Sequence, residues 1–219
     1  MPASCVVRAG FRKLSEMLVP LQNMEGPFQM STPAANRATP RRADAVRNRQ
    51  LVLEATKTLL AEPATTVTVE AIARRAGVGA GTVVRSFGNK EALIDAAVAD
   101  LLEPLVQRGR SALSEASSEA AIRGFLHDVI VFQSAHHVMG ERLEDLDLPA
   151  TTAQRAALAR AGHDLITRAR DDGVIRTDID ATVVTVLIGE VTYAIARSAS
   201  SALSESYLTV LMDGLRPRR

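Results

Sequence analysis

The chain has 219 residues and a formal net charge of +1, with 47% hydrophobic and 23% charged residues, the make-up of an ordinary globular protein of one or two domains. Aromatic residues make up 3%, Trp is absent and Cys5 is the single cysteine, so the core is aliphatic and neither an intrachain disulfide framework nor a cysteine-rich zinc site is available. No apolar run is long enough to span a membrane, and residues 1–25, with Arg8, Arg12, Lys13 and Glu16, lack the apolar stretch of a secretory signal, so the expected compartment is the cytoplasm.

Residues 1–43 are punctuated by Pro2, Pro20, Pro27, Pro33 and Pro40 and are expected to form a flexible extension. Phe11, Leu14 and Leu18 share a short amphipathic face there. Residues 31–42 read as a polar arm. Met30 is a candidate native start, which would make residues 1–29 the product of an upstream start. Charge is unevenly spread beyond that point. Met30 to Asp95 holds 10 Lys and Arg against 6 Asp and Glu, whereas Ala96 to Arg219 holds 13 against 17. A basic section ahead of an acidic one suits contact between the first and a polyanion.

From Asp44 onward the pattern is helical. Leu51, Val52, Ala55, Leu59 and Leu60 recur on one face, with Asp44 as the expected cap and Pro63 as the stop. Thr68 caps a short helix that ends at Gly77, Ala80 to Phe87 forms a second, and Asn89 caps a third from Lys90. Leu93, Ile94, Ala97, Leu101 and Leu105 mark this third one as long, with a kink expected at Pro104. Ile122, Phe125, Leu126, Val129 and Phe132 mark the next. Leu146 to Thr152 is expected as a loop, followed by helices over Ala156–Arg170, Ala181–Ser198 (capped by Asp180) and Leu203–Leu215. No convincing strand and no repeat occurs, so the fold class is all-α.

The specific signal is TVEAIARRAGVGAGTVVRSF, Thr68 to Phe87. Ala73 supplies the small residue where two short helices cross, and Gly77 the left-handed turn between them. Ile72, Val78 and Val83 supply the apolar contacts. The spacing is that of a helix-turn-helix whose second helix enters the major groove. Gly79, Ala80 and Gly81 allow close backbone approach there, and Thr82 and Arg85 point outward as hydrogen-bonding groups.

Ala45 to Leu105, including TVEAIARRAGV, GTVVRSF and GNKEAL, resembles the DNA-binding domain of the TetR family of transcriptional regulators. The resemblance implies an N-terminal three-helix DNA-binding domain with a helix-turn-helix over residues 44–105. A larger helical effector-binding and dimerisation domain over 106–219 then follows. It places Thr68, Glu70, Ala80, Gly81, Thr82, Val84, Arg85, Ser86 and Lys90 at or near double-stranded DNA. Val84 stands where the family commonly has an aromatic residue, and Ser86 where His or Tyr is common. Their absence shifts phosphate contact onto Arg85, Lys90 and the arm of Arg37, Arg41, Arg42, Arg47 and Arg49.

The C-terminal region resembles the ligand-binding and dimerisation domain of the same family, with Asp171 to Asp180 as a structural element of a Gly stop and an Asp cap. The resemblance implies a homodimer through the last two helices, for which Val184, Leu187, Ile188, Val191, Tyr207 and Leu211 are the candidate contacts, matched to a palindromic operator. Phe125, Val129, Phe132, His136, Met139 and Leu165 are candidates for lining a small-molecule effector pocket, though each is better explained as plain core. His137 and Glu141 lie at i, i+4, but two ligands are too few for a metal site and no third joins them. No P-loop, HExxH or GxSxG motif occurs and no cofactor is called for, so an enzyme is not expected. The expected function is a dimeric repressor released from its operator by a small molecule. The alternative is an all-helical adaptor that binds only protein.

Overall fold

The computed structural model describes residues 40–63, 65–143, 146–197 and 204–218. The expected extension lies outside the described residues up to residue 39. Helices alone make up the regular structure among the described residues: α1 (Pro40–Ala61), α2 (Val69–Ala76), α3 (Ala80–Phe87), α4 (Lys90–Ala112), α5 (Ser118–Arg142), α6 (Pro149–Asp171), α7 (Ala181–Arg197) and α8 (Ser204–Leu215). None of them is long and apolar enough to cross a membrane.

Two boundaries differ from the sequence expectation. α1 starts at Pro40, so Asp44 lies within the helix and not at its cap. A proline in the first turn has no N–H to lose there and its φ is already helical. The second is the stretch expected as a loop up to Thr152, which is helical from Pro149. Leu148 provides no side-chain cap at that start. The cap comes from α4, where the Asp95 carboxylate accepts the Ala150 N–H at 2.9 Å and the Thr151 N–H at 2.8 Å. α4 itself runs unbroken through Pro104, whose ring lies on the exposed side.

The apolar residues form two clusters. The first joins Val52, Leu60, Ile72, Val83, Leu93 and Leu102 of α1–α4, and it also takes in Met139, Leu143 and Leu148 from the corner between α5 and α6. Arg142, the last residue of α5, clasps the same corner by donating to the carbonyls of Leu60, Glu62 and Thr65 at 2.9, 3.0 and 2.6 Å. The second cluster joins Ile122, Phe125, Leu165, Ile175, Val184 and Leu208 of α5–α8. Where α4 passes α6, a Cβ on Gly109 would sit 2.8 Å from the Phe125 ring and 2.9 Å from Ala161. Only glycine admits that approach.

The corner between α6 and α7 follows the sequence closely. Gly173 adopts φ 71°, the left-handed stop that glycine adopts without strain. The Arg176 N–H donates to the Leu215 carbonyl at 2.7 Å, which ties the corner to the end of α8. The Arg176 guanidinium hydrogen-bonds the Asp178 carboxylate and holds its pKa down at about 2. Asp180 accepts the Thr182 N–H at 2.8 Å and so caps α7.

Candidate nucleic-acid interface

The pair α2 and α3 is built as its spacing requires. Thr68 has an extended backbone and its Oγ1 accepts the Ala71 N–H at 3.1 Å, closing the start of α2. Gly77 takes φ 68° and the Val78 N–H returns to the Ala73 carbonyl at 3.0 Å. That turn redirects the chain into α3 within a few residues. α3 then buries Val83, 2% exposed, against the first cluster, with Ala80 resting on it as well. The opposite side of α3 carries Gly81 and Arg85, both exposed, and Thr82, partly exposed; Val84 is 46% exposed.

The α3 start has no side-chain cap. The Thr82 and Val83 N–H groups return to the Gly79 carbonyl at 2.8 and 3.3 Å, and no side chain caps the Ala80 and Gly81 amides, a geometry that suits an anion. Arg85 Nη2 lies 3.4 Å from Thr82 Oγ1, a long contact that leaves the guanidinium available. The Ser86 hydroxyl donates to the Thr82 carbonyl at 2.8 Å, so its proton is spent within the helix. Glu70 is exposed in the first turn of α2, and Lys90 is exposed as the first residue of α4. Asn89 caps that helix by accepting the Ala92 N–H at 2.7 Å.

Arg49 departs from its expected place in a phosphate-reaching arm. It lies 4.1 Å above the Phe87 ring and donates to the Ser86 carbonyl at 2.9 Å. Its guanidinium thus holds the C-terminal end of α3 against α1, where the helix's negative end favours a cation. Arg47 remains exposed on α1. Arg37 and the side chains of Arg41 and Arg42 lie outside what is described.

The six residues proposed from sequence to line an effector pocket divide between the two clusters. Phe125 and Leu165 are buried in the second, with Val129 packed on it, whereas Met139 belongs to the first, with Phe132 packed on that. His136 stands beside Phe132, with ring centroids 4.6 Å apart. Two hollows among the described residues lie elsewhere. One of ≈ 340 Å³ is bounded by Arg49, Leu53, Asp100, Glu103 and Gln154, and one of ≈ 310 Å³ by Arg110, Ala157, Arg160 and Asp164. Two polar atoms on α5, Gln133 Oε1 and His136 Nδ1, are buried without a hydrogen-bond partner. Burial holds the His136 pKa below its ordinary value, so the ring is neutral. Arg155 of α6 is partly buried, and burial lowers its pKa from the ordinary arginine value. No local pattern distinguishes it from the surface arginines of the same helix.

The residues proposed for a dimer contact also divide. Val184 and Ile188, 1% and 4% exposed, are core of the single chain. Val191 and Leu211 pack on the second cluster. Leu187 and Tyr207 remain exposed, together with Val183 and Val210 on the same two helices. Nδ1 of each of the other histidines is hydrogen-bonded: His127 to Glu205 at 2.7 Å, His137 to the Ser134 carbonyl at 3.0 Å and His163 to Thr185 at 3.3 Å. No three His, Cys, Asp or Glu residues among those described come together as a metal site.

Comparison with known proteins agrees with this geometry at both ends of the chain. The family profile described as bacterial regulatory proteins, tetR family, matches residues 52–97. That of the transcriptional regulator SbtR-like C-terminal domain matches residues 117–217. The crystal structure of a TetR transcription regulatory protein from Mycobacterium vanbaalenii is 34% identical, over 81% of this chain and 99% of that one, with a TM-score of 0.61. A TetR transcriptional regulator from Streptomyces coelicolor is 29% identical, over 78% and 99%, with a TM-score of 0.59. The regulator FadR from Bacillus subtilis, solved in complex with stearoyl-CoA, shares the fold at 18% identity, over 76% and 99%, with a TM-score of 0.64. No curated protein sequence matches the chain. With a helix-turn-helix turned outward, both family profiles matched and a relative identical at a third of its positions, the chain belongs to the TetR family and is a DNA-binding transcriptional regulator.

Proposed function

We propose that the chain works as a homodimeric repressor whose hold on a palindromic operator is weakened by a small-molecule effector. The observation that carries the DNA face is the split of α3, with Val83 inward and Gly81, Thr82 and Arg85 outward beside an uncapped helix start. In this reading Thr68, Glu70, Gly81, Thr82, Val84, Arg85, Ser86 and Lys90 lie along the duplex, and Ala80 sets the depth of α3 by resting on the core. The DNA-binding unit spans 44–105 and the effector and dimerisation unit 106–219. A gel shift on the gene's own upstream region tests it. Binding should be salt-sensitive and should depend on both half-sites; failure to bind at low salt overturns the reading.

Gly81 separates a DNA role from a packing role. A Cβ there meets nothing within 4 Å, so the protein itself does not require glycine. Gly81→Ala is expected to stabilise the free protein by about 0.5–1 kcal/mol through helix propensity and to weaken operator binding, because the added methyl stands between the α3 backbone and the groove. Urea denaturation and fluorescence anisotropy on the operator duplex check the two signs.

Dimerisation is supported by the apolar side chains that the single chain leaves outside, namely Val183 and Leu187 on α7 and Tyr207 and Val210 on α8. Four large apolar residues on two adjacent helices form a self-complementary patch of the kind a two-fold axis buries. Leu187→Arg is expected to convert the dimer to monomer by sedimentation velocity and to reduce operator affinity at least tenfold, since each half-site then binds alone. Response to an effector is supported by relatives of the same fold solved with stearoyl-CoA and with resorcinol. Such a ligand lowers operator affinity only as far as it prefers one conformer of the dimer over the other.

A further inference from the structure

The face of α6 turned toward α5 carries a cation, Arg155, that has no ion-pair or hydrogen-bond partner among the described residues. Gly162 marks that face, because a Cβ on it would meet the Phe125 ring at 3.5 Å. Arg155 stands about two turns earlier on the same line, since seven residues return a helix to within about 20° of its starting direction. α5 and α6 run antiparallel, with Phe125 against Ala161 and Gly162 at one level and Met139 and Leu143 beside Leu148 at their shared corner. On the row of α5 that faces α6, Phe132 lies about two turns from Phe125 and His136 about three. Arg155 therefore points toward that row.

Arg155 is partly buried and makes no ion pair and no hydrogen bond among the described residues. Burial alone lowers its pKa from the ordinary arginine value. Facing it, His136 is kept neutral and its Nδ1 is buried without a partner. An uncompensated cation beside apolar rings is unfavourable, and a methionine of similar length would pack there without that cost. A group that destabilises the free protein in this way is explained when a ligand supplies the missing charge.

We propose that Arg155, with His136 beside it, is the anchor for a carboxylate on the effector, whose apolar body lies against the partly buried Val129 and Phe132. The proposal rests on the effector-responsive reading above and adds the ligand's chemical class. One guanidinium and one neutral imidazole balance a single negative charge. That matches a carboxylate, which a guanidinium meets with two parallel hydrogen bonds, and not a phosphate monoester, which carries about two charges at neutral pH.

The test uses the full-length protein and two acids with their neutral isosteres: octanoate against octanamide, and phenylacetate against phenylacetamide. Melting temperature is read for the wild type, Arg155→Met and Arg155→Lys, and affinity by isothermal titration. The acids, and not the amides, should raise the wild-type Tm. Arg155→Met should melt higher than the wild type without ligand and should bind the acids at least tenfold more weakly. Should Arg155→Met not fold, Arg155→Lys still decides, because it keeps the charge but loses the two-pronged geometry and should bind them several-fold more weakly at an unchanged Tm. Equal shifts by acid and amide, no shift by either acid, full acid affinity in both variants, or a lower ligand-free Tm for a folded Arg155→Met overturns the proposal. Operator affinity is followed separately by anisotropy. Acids that bind through Arg155 without changing DNA affinity would leave the anion site standing and remove the effector reading.

Discussion

Arg85→Glu is expected to weaken operator binding at least a hundredfold while leaving the unfolding free energy within about 0.5 kcal/mol of the wild type, as exposed substitutions usually do. Arg85 is exposed on the outer side of α3 and among the described residues its side chain hydrogen-bonds Thr82 alone, at 3.4 Å, so the folded chain loses almost nothing with it. In the complex the same guanidinium meets a guanine edge or a phosphate. Loss of a bidentate guanine contact costs about 1–3 kcal/mol, and a carboxylate set beside the phosphates adds repulsion to that loss. Two such contributions per dimer exceed the 2.8 kcal/mol or so that a hundredfold change requires. Arg85→Ala distinguishes the two contacts. If Arg85 holds a phosphate, affinity falls evenly across sequences and the salt slope drops by about 1 per site. If it reads guanine, the slope is kept and discrimination at that base pair is relaxed. Anisotropy at two salt concentrations, on operator and mismatched duplexes, measures both.

What was legible in the sequence was what short-range chemistry specifies. Thr68, Gly77, Asn89, Gly173 and Asp180 act where their side chains or backbone freedom indicate, because a cap or a stop involves residues three or four positions apart. The outward set on α3 was legible for the same reason, since Val83 fixes the inward direction and the helical period does the rest. What escaped was long-range. The start of α6 reads as a loop because Leu148 offers no cap, and its cap is a carboxylate on another helix. Arg49 reads as one cation among several, and only the fold places Phe87 under it. The stripe on α7 is apolar nearly all round, and period alone does not separate Val184 and Ile188, which the chain buries, from Leu187, which it leaves exposed. Arg155 gives no signal in the sequence, because the tertiary arrangement of α5 and α6, and not its neighbours in the chain, leaves it partly buried.

Asp95→Ala is expected to cost about 2–4 kcal/mol, as the loss of an ionised acceptor that serves two amides, the Thr151 one fully buried, each left unsatisfied at about 1–3 kcal/mol. Asp95→Asn keeps one oxygen but loses the charge that favours a helix N-terminus, and should cost roughly half as much. Urea denaturation gives the totals, and hydrogen exchange should show the amides of 149–152 opening while those of α2 and α3 stay protected. The consequence for regulation follows from where these groups sit. Asp95 is on α4 little more than a turn after Lys90, so it belongs to the helix whose start is proposed to face DNA. The amides it holds begin α6, the helix that carries Arg155 about one turn further on. Arg142 fastens the other side of the same corner to the end of α1. If an effector displaces α6 as proposed, these two charged clasps, together with α4 itself, form a contiguous route to the DNA-binding helices. Breaking the Asp95 clasp should leave operator affinity of the free protein nearly intact and reduce the affinity change that an effector produces. A variant that responds to effector as fully as the wild type would show that α4 alone carries the signal.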